Sequence, residues 1–206
     1  MTKFTEHDKQ RITAAIHTAE QNTGGEFVAV VARASEHYLV IPLLWAALLA
    51  LLVPGLILFS PLTVGFFRLY ELQLATFIVL ALLFEFVPAL HLMLVPKGLK
   101  HARASRLAHA QFYEQGVNRT QHHSGVLLFV SLAERYVEIV ADQGIHEKIG
   151  EDRWREIVAL FVRQVSEGEV TDGFVAAIHA CGAAMAEHYP PGAEAADELS
   201  DGLIEI

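Results

Sequence analysis

Four carboxylates stand where predicted elements meet loops. Asp142 and Glu147 flank Gly144, and Glu169 and Asp172 lie in "SEGEVTDG" at 166–173. Strand ends and the loops beside them are where ligands gather in α/β folds, and oxygen ligands of this kind suit Ca2+ or Mg2+. The same residues also suit local roles, since Asp172 is placed as a helix N-cap and Asp142 fits a turn. "QHHSG" at 121–125 sets His122 beside His123. Neighbours on an extended segment point to opposite sides, so this pair makes a poor chelator and reads as solvated loop. Cys181 falls in mid-helix on an apolar face with no phosphatase loop around it, which marks it as a packed core thiol. There is no P-loop, no Ser-His-Asp arrangement and no paired-carboxylate motif. No catalytic residue and no organic cofactor site is assigned.

The elements that would position these groups come in two blocks. In the first, Thr5 and Asp8 outline a capping box, and Phe4, Ile12, Ala15, Ile16 and Ala19 recur at helical period. "NTGG" at 22–25 is read as the stop, with a glycine free to take the left-handed cap. "FVAVVAR" then reads as a short buried strand. In the second block a helix over 101–116 carries Leu107, Ala108, Phe112 and Gln115. The strand "SGVLLFVSL", the turn "AER" and the half-exposed strand "YVEIVAD" follow, ended by Gly144. One further helix presents Trp154, Ile157, Val158, Phe161, Val162 and Val165. The last presents Phe174, Ile178, Cys181 and Met185.

Between the blocks the composition changes. The chain of 206 residues is 53% hydrophobic, and that excess is concentrated between Leu39 and Val95. Residues 39–59, "LVIPLLWAALLALLVPGLILF", hold no charge. At about 1.5 Å per residue this run spans roughly 30 Å, the hydrocarbon thickness of a bilayer. A second helix over 66–86 places Arg68 and Glu71 at one interface and Glu85 at the other. A register from Leu72 to Val95 would instead bury Glu85 near the bilayer centre, which is costly. Residues 87–96 become a link at the membrane surface. Lys97, Lys100, Arg103 and Arg106 follow the hairpin, against Arg68 alone between its helices. The positive-inside rule therefore puts both termini in the cytoplasm.

Neither block is a domain by itself. Residues 1–36 offer too little apolar surface to fold alone, and residues 97–190 hold a central strand without a neighbour. Joined, they make one discontinuous α/β domain: strand 26–33 beside strand 125–132, joined by a helical crossover, then an antiparallel hairpin. Both flanks must then lie on one side of the membrane. The link "ASEHY" at 34–38 is short, so the domain is expected close to the bilayer. "MTKFTEHDKQRI" is polar where a signal peptide needs an apolar core, and a single cysteine fits a reducing compartment. Residues 191–206 read as an acidic tail that carries much of the net charge of −9. Nucleic acid is excluded as a partner, for want of a basic aromatic face.

"TGGEFVAVV", "SGVLLFVSLAERYVEIVADQGI" and "EGEVTDGFVAAIHACGAAM" in this order resemble the TPM domain family. That family is named for a thylakoid lumen protein, a photosystem II repair protein and a nematode channel modulator. The inserted hairpin followed by "LVPKGLKHARASRLAHAQF" resembles a bacterial membrane subgroup. The resemblance implies an α/β sandwich, here interrupted by a two-helix transmembrane hairpin. It also implies either acid phosphatase activity or divalent-cation binding, calcium in particular, and makes Glu26, after Gly25, a candidate site residue. Many relatives work in a lumen or periplasm, whereas this chain reads as cytoplasmic. The expectation is therefore a binding or assembly module at the inner membrane, in contact with lipid and a membrane-proximal protein and compatible with self-association. The alternative is a divalent-metal-dependent phosphatase.

Overall fold

The structure is a computed structural model that describes residues 4–35, 38, 40–61, 63–87, 93–120, 123–191 and 199–206. The chain divides into an α/β unit, Met1–Ser35 with His101–Ile206, and a helical unit, Glu36–Lys100.

In the α/β unit, helix α1 (Glu6–Asn22) opens on the expected capping box. The Thr5 N–H donates to Asp8 Oδ2 at 2.9 Å, and the Asp8 N–H donates to Thr5 Oγ1 at 3.2 Å. Its far end differs from the reading of "NTGG". Thr23 closes the helix in an extended conformation, and neither Gly24 nor Gly25 has a positive φ. Packing is what requires glycine at 25, because a Cβ there would meet Met185 Cε at 2.1 Å and Thr23 Oγ1 at 2.9 Å.

Strand β1 (Glu26–Ala32) pairs in parallel with β2 (Gly125–Ser131), Glu26 opposite Gly125 and Ala32 opposite Ser131. Strand β3 (Tyr136–Ala141) runs antiparallel to β2 on its other side. A fourth strand, β4 (Ile204–Glu205), pairs with β1 at Val30 and Val31, giving the order β3-β2-β1-β4. The end of the acidic segment is thus part of the sheet, while 192–198 lie outside the described residues.

Helix α4 (Lys97–Glu114) covers one face of the sheet and buries Ala104, Ala108, Gln111 and Phe112. Two helices, α5 (Gln143–Ile149) and α6 (Glu151–Glu167), follow β3, and α7 (Val170–Ala186) comes next. Gly144 lies inside α5 rather than ending β3. Helices α1, α6 and α7 cover the second face, where Ile12, Ile16, Phe161, Phe174, Ile178, Cys181 and Met185 pack on Phe27, Ala29, Leu128 and Val130. With both faces covered, β1 and β2 read as continuous apolar runs instead of alternating. Each large side chain buried in this way stabilises the fold by about 1.5–3 kcal/mol.

The helical unit holds α2 (Val40–Leu58) and α3 (Phe66–Phe86), which pack on each other. Pro42, Ala46 and Ala50 form a buried stripe of small residues on α2, the spacing that lets apolar helices approach closely. Pro54 lies within α2 and removes the hydrogen bond to the Ala50 carbonyl. Most of the remaining surface is apolar and exposed, with Leu51 at 62%, Leu58 at 80% and Phe67 at 81%. Both helices are long and apolar enough to cross a membrane. Residues 88–92 of the expected surface link lie outside the described residues.

Candidate functional site

The parallel pair β1–β2 gives the sheet two chemically different ends, about 20 Å apart for strands of seven residues. At the amino end, Glu26 is opposite Gly125, and the Asp142 N–H donates to the Gly125 carbonyl at 3.1 Å. Glu26, Gly125 and Asp142 therefore form one row across the strand ends. Asp142 holds the N-cap position of α5, yet its carboxylate makes no capping bond. It meets His123 Nδ1 at 3.2 Å instead. His123 has a φ of 49°, a left-handed conformation that non-glycine residues adopt at some cost. His122 lies outside the described residues. Glu147, on α5, accepts from Gln143 Nε2 at 3.0 Å. Next to it, Lys148 places its ammonium 4.1 Å from the Tyr189 ring centroid. Ser124 Oγ donates to the Gly24 carbonyl at 2.7 Å, tying this end together.

Glu169 and Asp172 are at the opposite end. Gly168 and Val170 line a cleft with Ser131, the last residue of β2. Glu169 is the residue before α7 and makes no side-chain cap bond; Asp172 is the third residue of the helix rather than its N-cap. Its carboxylate pairs with Arg11 Nη2 at 2.5 Å, so a long-range ion pair replaces the expected cap. The four loop carboxylates are thus divided between the two ends. Among the described residues no three His, Cys, Asp or Glu side chains converge on a point that could hold a metal ion. Ca2+ takes six to eight oxygen ligands, and only Glu26 and Asp142 share a row.

Two polar groups emerge only from the fold. Glu134, in the β2–β3 turn, is 5% exposed. Its carboxylate accepts from the Ser35 N–H at 3.0 Å, from Ser35 Oγ at 2.8 Å and from Ser131 Oγ. It joins the chain leaving β1 to the chain leaving β2. The only sequence signal was a carboxylate in "AER" between two apolar strands. On the α4 side, Glu138 of β3 accepts from Ser105 Oγ at 3.2 Å and from the Tyr136 hydroxyl at 3.1 Å, and meets His109 Nε2 at 3.4 Å. Burial foremost, with the Glu138 charge adding to it, pushes the Tyr136 phenol above its ordinary range. Cys181 is fully buried, and burial pushes its thiol up to about 12. It is a protonated core residue at physiological pH.

Residues 90–184 match the family model described as the TPM domain. No curated protein matches the chain. Among solved structures, the NMR structure of BA42 protein from the psychrophilic bacterium Bizionia argentinensis is similar, with a TM-score of 0.62 at 18% identity. That alignment covers 100% of this chain and 97% of the other. At this identity the likeness is one of fold. The matched segment holds α4, β2, β3 and most of α7, while β1 enters the same sheet from outside it. Through residues 90–184 the chain carries a TPM domain.

Proposed function

We propose that this is an integral membrane protein of the bacterial inner membrane that presents its TPM domain to the cytoplasm as a binding or assembly module. One observation carries the reading: two consecutive apolar helices interrupt a single sheet, between β1 and β2. An even number of crossings returns the chain to the side it left, which a sheet built from both flanks requires. The exposed apolar surface of α2 and α3 supports placement in lipid. The basic residues Lys97, Lys100, Arg103 and Arg106 after the hairpin support a cytoplasmic domain. A binding role is favoured because the acidic candidates are dispersed and local partners occupy several of them.

Reporter fusions test the topology. A reporter active only outside the cytoplasm is expected to be silent after Ile206 and active when inserted between Ser60 and Thr63; the reverse pattern sinks the proposal. Extraction with alkaline carbonate should leave the protein in the membrane fraction. For the module, crosslinking in native membranes should capture a partner of fixed stoichiometry. Release of phosphate from an aryl phosphate by the purified protein, dependent on Mg2+ or Ca2+ and abolished by Asp142→Asn, would overturn the module in favour of an enzyme.

A further inference from the structure

A cleft of about 350 Å³ opens between the β2–β3 turn and the α6–α7 turn. Leu132, Val137, Val162, Val165 and Val170 supply its apolar walls, and Ser131, Ser166 and Arg135 its polar groups. Arg135 is the only charged residue of the lining. Among the described residues its exposed side chain makes no ion pair and no hydrogen bond, which leaves the guanidinium available to a ligand. The adjacent carboxylate, Glu134, is turned to Ser131 and Ser35.

Arg135 closes the β2–β3 turn, its N–H donating to the Leu132 carbonyl at 3.3 Å. Its φ is 51°, in the left-handed region that glycine or asparagine fills with less strain. A guanidinium offers a fork of donors that matches a carboxylate in two parallel hydrogen bonds. A single cation suits a single negative charge. A dianion is a poorer match, because Gly168 on the opposite wall is flanked in sequence by Glu167 and Glu169.

We infer that this cleft binds a small amphiphilic monoanion, a carboxylate on an apolar chain, with Arg135 gripping the head and the valine walls covering the tail. A cavity of this size is at the small end of ligand pockets and takes about ten non-hydrogen atoms. The inference is independent of the membrane placement.

The test uses the full chain in phosphatidylcholine nanodiscs, with empty nanodiscs as the blank, and octanoate as the probe in ligand-observed NMR. Wild type should show saturable octanoate binding. Arg135→Leu should weaken it at least tenfold while leaving octanol binding unchanged, because a charge-assisted pair separates the two probes by that factor or more. Arg135→Gly should lose octanoate to the same extent and yet unfold at a higher temperature, the opposite of what a misfolded variant would do. Arg153→Leu, a control for surface charge, should bind as wild type does. No saturable binding to wild type, equal losses in Arg153→Leu, or undiminished binding in Arg135→Gly would overturn the inference. So would hexyl phosphate binding as a dianion more tightly than octanoate.

Discussion

Cys181 shows how far one side chain can be read. Its place on the apolar face of the last helix marked it as core, and with no exposure and a thiol pushed up to about 12 it is shielded in two ways. The native protein should therefore not react with an aromatic disulfide reagent at pH 8 over minutes, and should react fully in denaturant. Thr5 and Asp8 are equally local. Thr5→Ala should cost about 1 kcal/mol of stability, the ordinary worth of such a cap. Hydrogen bonds from Thr5 hold the Asp8 carboxyl below its ordinary value of 3.8. The ionised form is the one that caps, so its contribution is present above pH 4 and is lost as pH falls through the lowered value. Asp8→Asn should flatten the acid side of a stability-against-pH curve, measured by urea titration between pH 2 and 6. Sequence spacing shows such pairs because they span one helical turn. Asp172 shows the limit of that reasoning: its partner, Arg11, is distant in sequence, and only the packing of α1 on α7 brings them together.

Apolar runs announced β1 and β2, alternation announced β3, and the helical period announced α1, α6 and α7, because burial on a strand or a stripe leaves a pattern several residues long. β4 left no such mark. Two residues in an acidic stretch have no period, and their pairing depends on the neighbour they meet. Removing residues 203–206 tests what they contribute. The Arg33 N–H donates to the Ile206 carbonyl at 2.9 Å, and Glu205 meets Lys9 Nζ at 2.9 Å. The truncated protein should keep its fold, but the Arg33 amide should exchange with solvent faster by hydrogen-exchange mass spectrometry. The glycines at the strand entrances separate two kinds of crowding. A Cβ on Gly125 would meet the Val117 backbone oxygen at 2.4 Å, which cannot swing away. Gly125→Ala should cost about 2 kcal/mol, within the range for overpacking. Gly25→Ala meets the flexible end of Met185 and should cost less. Thermal melts of the two variants would rank them.

For the whole molecule, the informative fact is the position of β1 between β2 and β4. That β1 shares a sheet with strands beyond the apolar helices was legible from the sequence, because neither block could bury its apolar faces alone. The division of the carboxylates between two ends was not, since it depends on strand direction and register. A chain lacking residues 1–35 loses α1 and an inner strand, and should be degraded in a limited proteolysis time course that leaves the full chain intact. Supplying residues 1–35 as a separate peptide should restore protection, if the sheet and not the connection holds the pieces together.

The position of β1 also sets a schedule. About ninety residues separate the end of β1 from the start of β2. At ribosomal speeds of about 5–20 residues per second, β1 waits roughly 5–20 seconds for its neighbour. During that interval a seven-residue apolar strand and the inner face of α1 lie uncovered while the next segment to emerge is the most hydrophobic of the chain. The nascent protein thus presents two greasy segments in succession, and the first must be kept for the sheet. Sorting them correctly is a problem of timing, and the cell meets it before there is any domain to do a job.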